Sequence, residues 1–286
     1  MNLVFDKVTK KYGDLTALDN FSYTFSSGVY GLLGPNGAGK STMMNLIVGN
    51  IKLSSGTIQY DGQNTIDLGA EYRKLIGFMP QQQGIYPDFT LERFLWYMAS
   101  LKGIHKDEAR KQIPELIQAV NLQDFAKRRL GGFSGGMKQR ALIAQAMLGS
   151  PKILILDEPT AGLDPKERIR IRNLISKLAL NQIVIIATHV VSDVAFIAKE
   201  ILLMKKGVLI DSGSPHKLCK SIEGKVFELS CQEDAIEKIS TMYKVSNLSR
   251  EKDDILVRVL NDDSPLDYAY TSVKPDLEDL YLWYFD

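Results

Sequence analysis

The run Gly34-Pro35-Asn36-Gly37-Ala38-Gly39-Lys40-Ser41-Thr42 carries the densest chemistry in the chain, and from Gly34 to Ser41 it satisfies G-x-x-x-x-G-K-[ST]. Glycines there let backbone N–H groups turn inward around a polyphosphate, and a helix beginning just after adds unpaired donors and the positive end of its dipole. Lys40 offers a point charge to the terminal phosphates, and the Ser41 hydroxyl suits Mg²⁺. A second group is the acid pair Asp157-Glu158 after the apolar run Lys152–Leu156. Two acids at the carboxyl end of a buried parallel strand sit where α/β proteins bind ligands. Asp157 suits Mg²⁺ with water in its shell, and Glu158 suits a base that orients and deprotonates an attacking water. A third is Ser134-Gly135-Gly136, a helix start with a serine cap and two bare glycines, again built to receive an anion. His189 follows the apolar run Ile183–Ala187, where it could donate to a terminal phosphate; a lone histidine is more often structural. Tyr12 could stack on a flat base or be an ordinary half-buried tyrosine, and Gln81-Gln82-Gln83 reads only as a loop.

These residues need elements to hold them. Val29–Leu33 predicts a strand running into the glycine loop, and Thr42–Val48 a helix leaving it. Ahead of them, Leu3–Val8 and Leu15–Phe25 read as strands, with Phe21, Tyr23 and Phe25 on one face at period two. Ser55–Gly62 and Ile76–Pro80 are short strands, the first ending in an Asp-Gly turn. From Thr90 to Met147 the pattern is helical: Leu91, Phe94, Leu95, Met98 and Leu101 share one face, and a second helix over Ala109–Leu122 contains Pro114, which predicts a kink or a restart. Lys166–Leu180 is a further helix, and Ile201–Met204 with Val208–Asp211 a hairpin. Ser212-Gly213-Ser214-Pro215 marks a boundary. Beyond it the order is strand (Lys225–Cys231), helix (Glu233–Tyr243), strand pair (Lys244–Ser249, Ile255–Leu260) and a last helix capped by Asp276. The expected organisation is a larger unit at 1–215, with a helical insertion at about 84–150, and a small α+β unit at 216–286.

A chain of 286 residues can build a sizeable core, and 45% hydrophobic with 24% charged residues is ordinary for a globular protein. A net charge of +1 gives no electrostatic case for nucleic acid as the main partner. No apolar run approaches the length that spans a bilayer, and Met1–Asp6 lacks the regions of a signal peptide. Cys219 and Cys231 are too few for a disulfide framework and match no metal spacing, so reduced thiols are expected.

Taken in order, these motifs resemble the ATP-binding subunits of ABC transporters, over roughly residues 1–215. The resemblance implies an α/β fold: a phosphate-loop NTPase core with an antiparallel edge sheet and a helical subdomain that bears the signature motif. It implies ATP and Mg²⁺ as ligands. Gly34–Thr42 matches the Walker A loop, Asp157 the magnesium acid and Glu158 the catalytic glutamate. Ser134-Gly135-Gly136 matches the signature, Asp164 the D-loop, His189 the switch histidine and Tyr12 the adenine-stacking aromatic. Gln81 matches the Q-loop glutamine, which touches the metal and the water, with Gln82 as the alternative. Phe133 stands where the family usually has leucine, a position of packing rather than chemistry. One Walker set per chain implies a head-to-tail dimer, with itself or with a close relative, and a separate membrane permease holding the chain at the cytoplasmic face. Pro275–Tyr281 and Gly135–Arg140 look like the drug and antibiotic export branch.

A soluble relative acting on ribosomes or DNA is the competing reading. Ribosome-acting relatives usually carry two ATPase units in one chain, and no heptad stretch of the DNA-repair type is present. A phosphate-loop kinase or GTPase fails on the signature, and a nucleotide-binding sensor on Lys40, Glu158 and His189. Glu158→Gln is expected to lower the ATP turnover number by roughly 10²-fold or more; unchanged turnover in a phosphate-release assay would leave only the sensor.

Overall fold

The computed structural model describes residues 1–81, 84–251, 254–262 and 268–286. Two compact units divide them, Met1–Asp211 and Ser212–Asp286. The break falls a few residues before the expected one because Ser214 belongs to the second unit. Its hydroxyl caps a helix by accepting from Lys217 N at 3.2 Å.

The first unit opens with β1 (Leu3–Tyr12), β2 (Leu15–Phe25), β3 (Gly28–Leu33), α1 (Lys40–Val48), β4 (Ser55–Tyr60) and β5 (Gln63–Asn64). There follow α2 (Thr65–Leu68), α3 (Ala70–Lys74), β6 (Ile76–Met79), α4 (Leu91–Leu101), α5 (Lys106–Ala119) and α6 (Gly135–Met147). It closes with β7 (Ile153–Asp157), α7 (Pro165–Leu178), β8 (Ile183–Ala187), α8 (Val191–Ala195), β9 (Glu200–Lys205) and β10 (Val208–Gly213). Among the described residues, β2-β1-β4-β5 form an antiparallel sheet, and β10-β9-β3-β8-β7-β6 a larger one. Strands β9, β3, β8, β7 and β6 of the larger sheet pair in parallel.

Parallel strands covered on both faces must be apolar throughout, which is why β7 and β8 read ILIL and IVII rather than alternating. Tyr30, Leu32, Ile153, Ile155, Ile183 and Ile185 join one core with α1 and with Phe5, Phe21 and Phe25 of the antiparallel sheet. Helix α1 buries Met43, Met44, Leu46, Ile47 and Val48, more than one helical face, because core surrounds it. The rings of Phe25 and Tyr30 meet edge to face at 4.9 Å and tie the two sheets together.

The expected stripe on α4 is buried at Leu91, Phe94 and Leu95, but Leu101 is 64% exposed. It is the last residue of the helix. Helix α5 runs through Pro114 without a restart; Pro114 is exposed, where water can satisfy the carbonyl left free by its missing N–H. β1 extends past Val8 to Tyr12 because register shifts against β2 let it continue.

The second unit contains α9 (Pro215–Lys220), β11 (Val226–Cys231), α10 (Ile236–Met242), β12 (Lys244–Glu251), β13 (Asp254–Leu260), β14 (Tyr270–Ser272) and α11 (Leu277–Phe285). Its antiparallel sheet has the order β12-β13-β11-β14. Compared with the expected order it gains α9 and β14, both too short to leave a periodic signal. Phe227, Leu229, Val257 and Val259 build its core with Ile239 of α10. Burial pushes the Cys219 thiol up to about 11, so it stays protonated at neutral pH.

Helix α11 begins with a capping box between Asp276 and Asp279. The Asp279 carboxylate, 1% exposed, accepts from Arg258 Nη2 at 2.7 Å and Arg258 Nε at 3.1 Å, and from Ser246 Oγ at 2.8 Å. Burial alone would raise its pKa; the bonds from Arg258, the Asp276 N–H and Ser246 outweigh that and lower it below 3.8. A carboxylate with a lowered folded-state pKa stabilises fully above its unfolded value, and that contribution fades as pH falls below 3.8 through the lowered value. Arg258→Ala strands a buried carboxylate and is expected to cost about 3 kcal/mol. Thermal melts of the full chain should show the loss at pH 7 and a smaller difference from the parent protein near pH 3.

Candidate functional site

The register of the parallel sheet brings three strand ends to one level. Leu32 of β3 and Asp157 of β7 both pair with Ala187 of β8, which lies between them. Each chain therefore leaves the sheet at the same edge: β3 into Gly34, β7 into Glu158, β8 into Thr188-His189. A cleft of about 800 Å³ opens there. It is lined by Asn36 to Thr42 together with Tyr12, Gln81, Asp157, Glu158 and His189.

The glycine loop is wedged against its surroundings. A Cβ on Gly34 would stand 2.1 Å from the Met204 carbonyl oxygen, and one on Gly39 2.6 Å from that of Ala17. Gly39 also needs φ of +101°. The hairpin turn at Lys206-Gly207 fastens the loop: Gly207 N donates to Ala38 O at 3.0 Å, while Asp19 N donates to Gly207 O at 2.9 Å. Helix α1 starts at Lys40, two residues before the sequence pattern indicates, so Lys40, Ser41 and Thr42 form its first turn. Their N–H groups, with the helix dipole, face the loop's concavity. Lys40 Nζ donates to Gly34 O and to Pro35 O, the latter at 3.1 Å, holding the loop curled over its own ammonium group. Burial pulls the Lys40 pKa down, against the opposing charges of Glu158 and Asp157.

Glu158 sits in the left-handed region at φ +52°. That conformation costs about 1–2 kcal/mol for a residue with a Cβ, and the following Pro159 disfavours it further. Surrounding bonds hold it. Glu158 N donates to Ala187 O at 2.8 Å. Its carboxylate accepts from His189 N at 2.9 Å and from Thr188 Oγ1 at 3.1 Å. His189 Nε2 lies 3.5 Å from the same carboxylate. The carboxylate is thus aimed by β8, although the residue belongs to β7's exit loop. Burial raises the Asp157 pKa, the Glu158 charge adds to this, and Lys40, His189 and the backbone N–H of Gln81 oppose it.

A polyphosphate bound by the loop would meet, in one cleft, a cation, a hydroxyl, two carboxylates and an imidazole. Among the described residues, no group of three or more His, Cys, Asp or Glu side chains could hold a metal alone. Mg²⁺ would draw on Ser41, Asp157 and Gln81 together with phosphate oxygens, which is how it usually binds nucleotides. A family model described as ABC transporter matches residues 18–161. The ABC transporter ATP-binding protein YxlF of Bacillus subtilis is 36% identical over 232 residues, covering 81% of this chain and 77% of the relative.

This chain belongs to the ABC transporter family. It is the ATP-hydrolysing subunit of a transporter. The Nod factor export ATP-binding protein I of Burkholderia lata is 31% identical and covers 97% of this chain and 95% of its own length. The linearmycin resistance ATP-binding protein LnrL of Bacillus subtilis is 34% identical over 77% of this chain and 71% of its own length. Among solved structures, the dimeric ATP-binding cassette MJ0796 in a post-hydrolysis state with ADP and Pi is 30% identical, with a TM-score of 0.65 over 74% of this chain and 98% of its own.

The remaining motif residues of this ABC ATPase lie elsewhere. Ser134, Gly135, Gly136 and Asp164 do not line the cleft. Ser134 Oγ caps α6 by accepting from Met137 N at 3.3 Å, and Asp164 Oδ1 caps α7 by accepting from Glu167 N at 2.9 Å. Gly135 and Gln81 instead share a second hollow with Lys138, Gln139 and Gly162. Phe133 is buried, 5% exposed, as a packing residue should be. Tyr12 ends β1 47% exposed on the cleft wall, with Lys10 Nζ 4.7 Å from its ring centre. Gln82 lies outside the described residues. Sequence reasoning missed Thr16, Ala17 and Lys206 as cleft walls. Lys206 read as a hairpin turn, and only a second cation on a turn with positive φ marked it. Gly39→Ala is expected to weaken binding of a fluorescent ATP analogue roughly tenfold or more, because the added Cβ strains φ and presses on Ala17.

Proposed function

We propose that this ABC ATPase closes two ATP molecules between head-to-tail subunits and thereby drives a separate membrane permease that exports its cargo. One observation carries the reading. The cleft holds Lys40, Ser41, Gln81, Asp157, Glu158 and His189 from a single chain, while the anion-seeking start of α6 at Ser134-Gly135-Gly136 opens outside it. A chain with one complete phosphate loop and one unengaged helix start makes a whole site by pairing with a second chain, the same or a close relative, each lending α6 to the other's nucleotide.

In that assembly the adenine stacks on Tyr12, and the loop amides from Gly34 to Thr42 hold the phosphates. Lys40 and the partner's signature segment stabilise the charge that develops on the transferred phosphoryl group. Ser41, Asp157 and Gln81 would hold Mg²⁺, which would supply neutralisation of phosphate charge. Glu158, aimed by the Thr188 hydroxyl and the His189 N–H, orients and deprotonates water, and His189 donates to the terminal phosphate. Asp164, at the entry to α7, meets the partner across the interface.

Among the described residues no helix is long and apolar enough to cross a membrane, so the translocation path is assigned to another subunit, with this chain peripheral at the cytoplasmic face. The direction rests on the names of two relatives, one for Nod factor export and one for linearmycin resistance, and on the C-terminal segment Pro275–Tyr281. Tagged Glu158→Gln protein with ATP, recovered from mildly solubilised host membranes, is expected to bring down a polytopic membrane protein. An ATP-dependent dimer without one, or one bound to ribosomes, would overturn the transporter assignment and leave the ATPase chemistry in place.

A further inference from the structure

The main-chain carbonyl of Glu158 has a partner outside the strands that aim its carboxylate. Gln139 Nε2 donates to Glu158 O at 2.7 Å. Gln139 lies on α6, one turn beyond Ser134-Gly135-Gly136. Its helix therefore carries the signature at its first turn and a grip on the catalytic backbone at its second.

We propose that Gln139 is a positioning residue that sets the Glu158 backbone and couples it to the position of α6. Three fastenings define Glu158. Its N–H is tied to Ala187 at 2.8 Å, its carboxylate to Thr188 and His189, and its carbonyl to Gln139. The first comes from β8 of the buried parallel sheet and the second from the two residues that follow it. Only the third comes from a helix whose start is presented outward. A residue at φ +52° before a proline has no local preference for that shape, so its fastenings decide it. The remaining contact on the carbonyl, from Ala161 N, is long at 3.3 Å and belongs to the same exit loop, so it cannot anchor the loop to anything else. When α6 is drawn toward a nucleotide on the partner chain, the Gln139 amide carries Glu158 O with it, and the carboxylate turns about its contacts with Thr188 and His189. The bond is already made within the single chain, so a shift of α6 passes directly to Glu158 O.

This rests on the head-to-tail reading above, and the test separates the two. Gln139→Met keeps the side-chain length and removes the donor. It is expected to lower kcat about tenfold while KM for ATP and the melting temperature stay at the parent values. In a Glu158→Gln background, where the base is already gone, the same change is expected to lower residual turnover less than twofold. Gln139→Glu, which sets a carboxylate against the carbonyl, should repeat the pattern with a larger loss. Equal fold losses in both backgrounds, or a raised KM with kcat intact, would overturn the assignment of Gln139. Size-exclusion chromatography of Glu158→Gln with ATP reports separately on pairing. A monomer there would overturn the head-to-tail reading, and the coupling with it, whereas a dimer with multiplicative losses would overturn Gln139 alone.

Discussion

Parallel pairing of β3, β8 and β7 is the constraint on which the rest depends. Parallel strands have evenly spaced ladders, and close packing of side chains on both buried faces holds their register. With Leu32 and Asp157 both level with Ala187, the phosphate loop, the acid pair and the histidine must emerge together. No single loop builds this site. The exits of these three strands supply its centre, and the sheet sets their spacing.

Two of these loops leave the sheet under a local cost that their neighbours offset. The glycine loop curls tightly enough that a Cβ at Gly34 would strike backbone, and it is held by the β9–β10 turn. Glu158 adopts a shape its own residue type resists, and it is fixed by its N–H bond to Ala187 O and by bonds from Thr188, His189 and Gln139. Strain collected at one edge of a rigid sheet is a common mark of a catalytic centre.

The second unit is organised on a different principle. Its sheet is antiparallel, one face holds an apolar core, and its last helix is secured by a buried ion pair, Arg258 with Asp279. A buried pair of this kind contributes definition more than net stability, since desolvation offsets much of the attraction. It gives α11 one position on the sheet, which an amphipathic contact alone would define less sharply.

Much was legible in the residues alone. The phosphate loop, the acid pair, the signature and the histidine each depend on residue types at adjacent positions, and adjacent positions keep their spacing whatever the fold. Strands β3, β7 and β8 were legible because fully buried parallel strands are apolar without interruption. What the chain order could not show is which separated residues meet. Thr188 and His189 aim Glu158, Gly207 braces Ala38, Ala17 and Lys206 wall the cleft, and Gln139 grips Glu158. Arg258 finds Asp279 21 residues away. The exposure of Leu101 and the unbroken path of α5 through Pro114 were likewise decided by what packs beside them. The sequence by itself determined the chemistry available and the elements that carry it, because those are local properties. The tertiary structure alone decided how that chemistry is aimed, because aim depends on contacts between segments that only the sheet's register brings together.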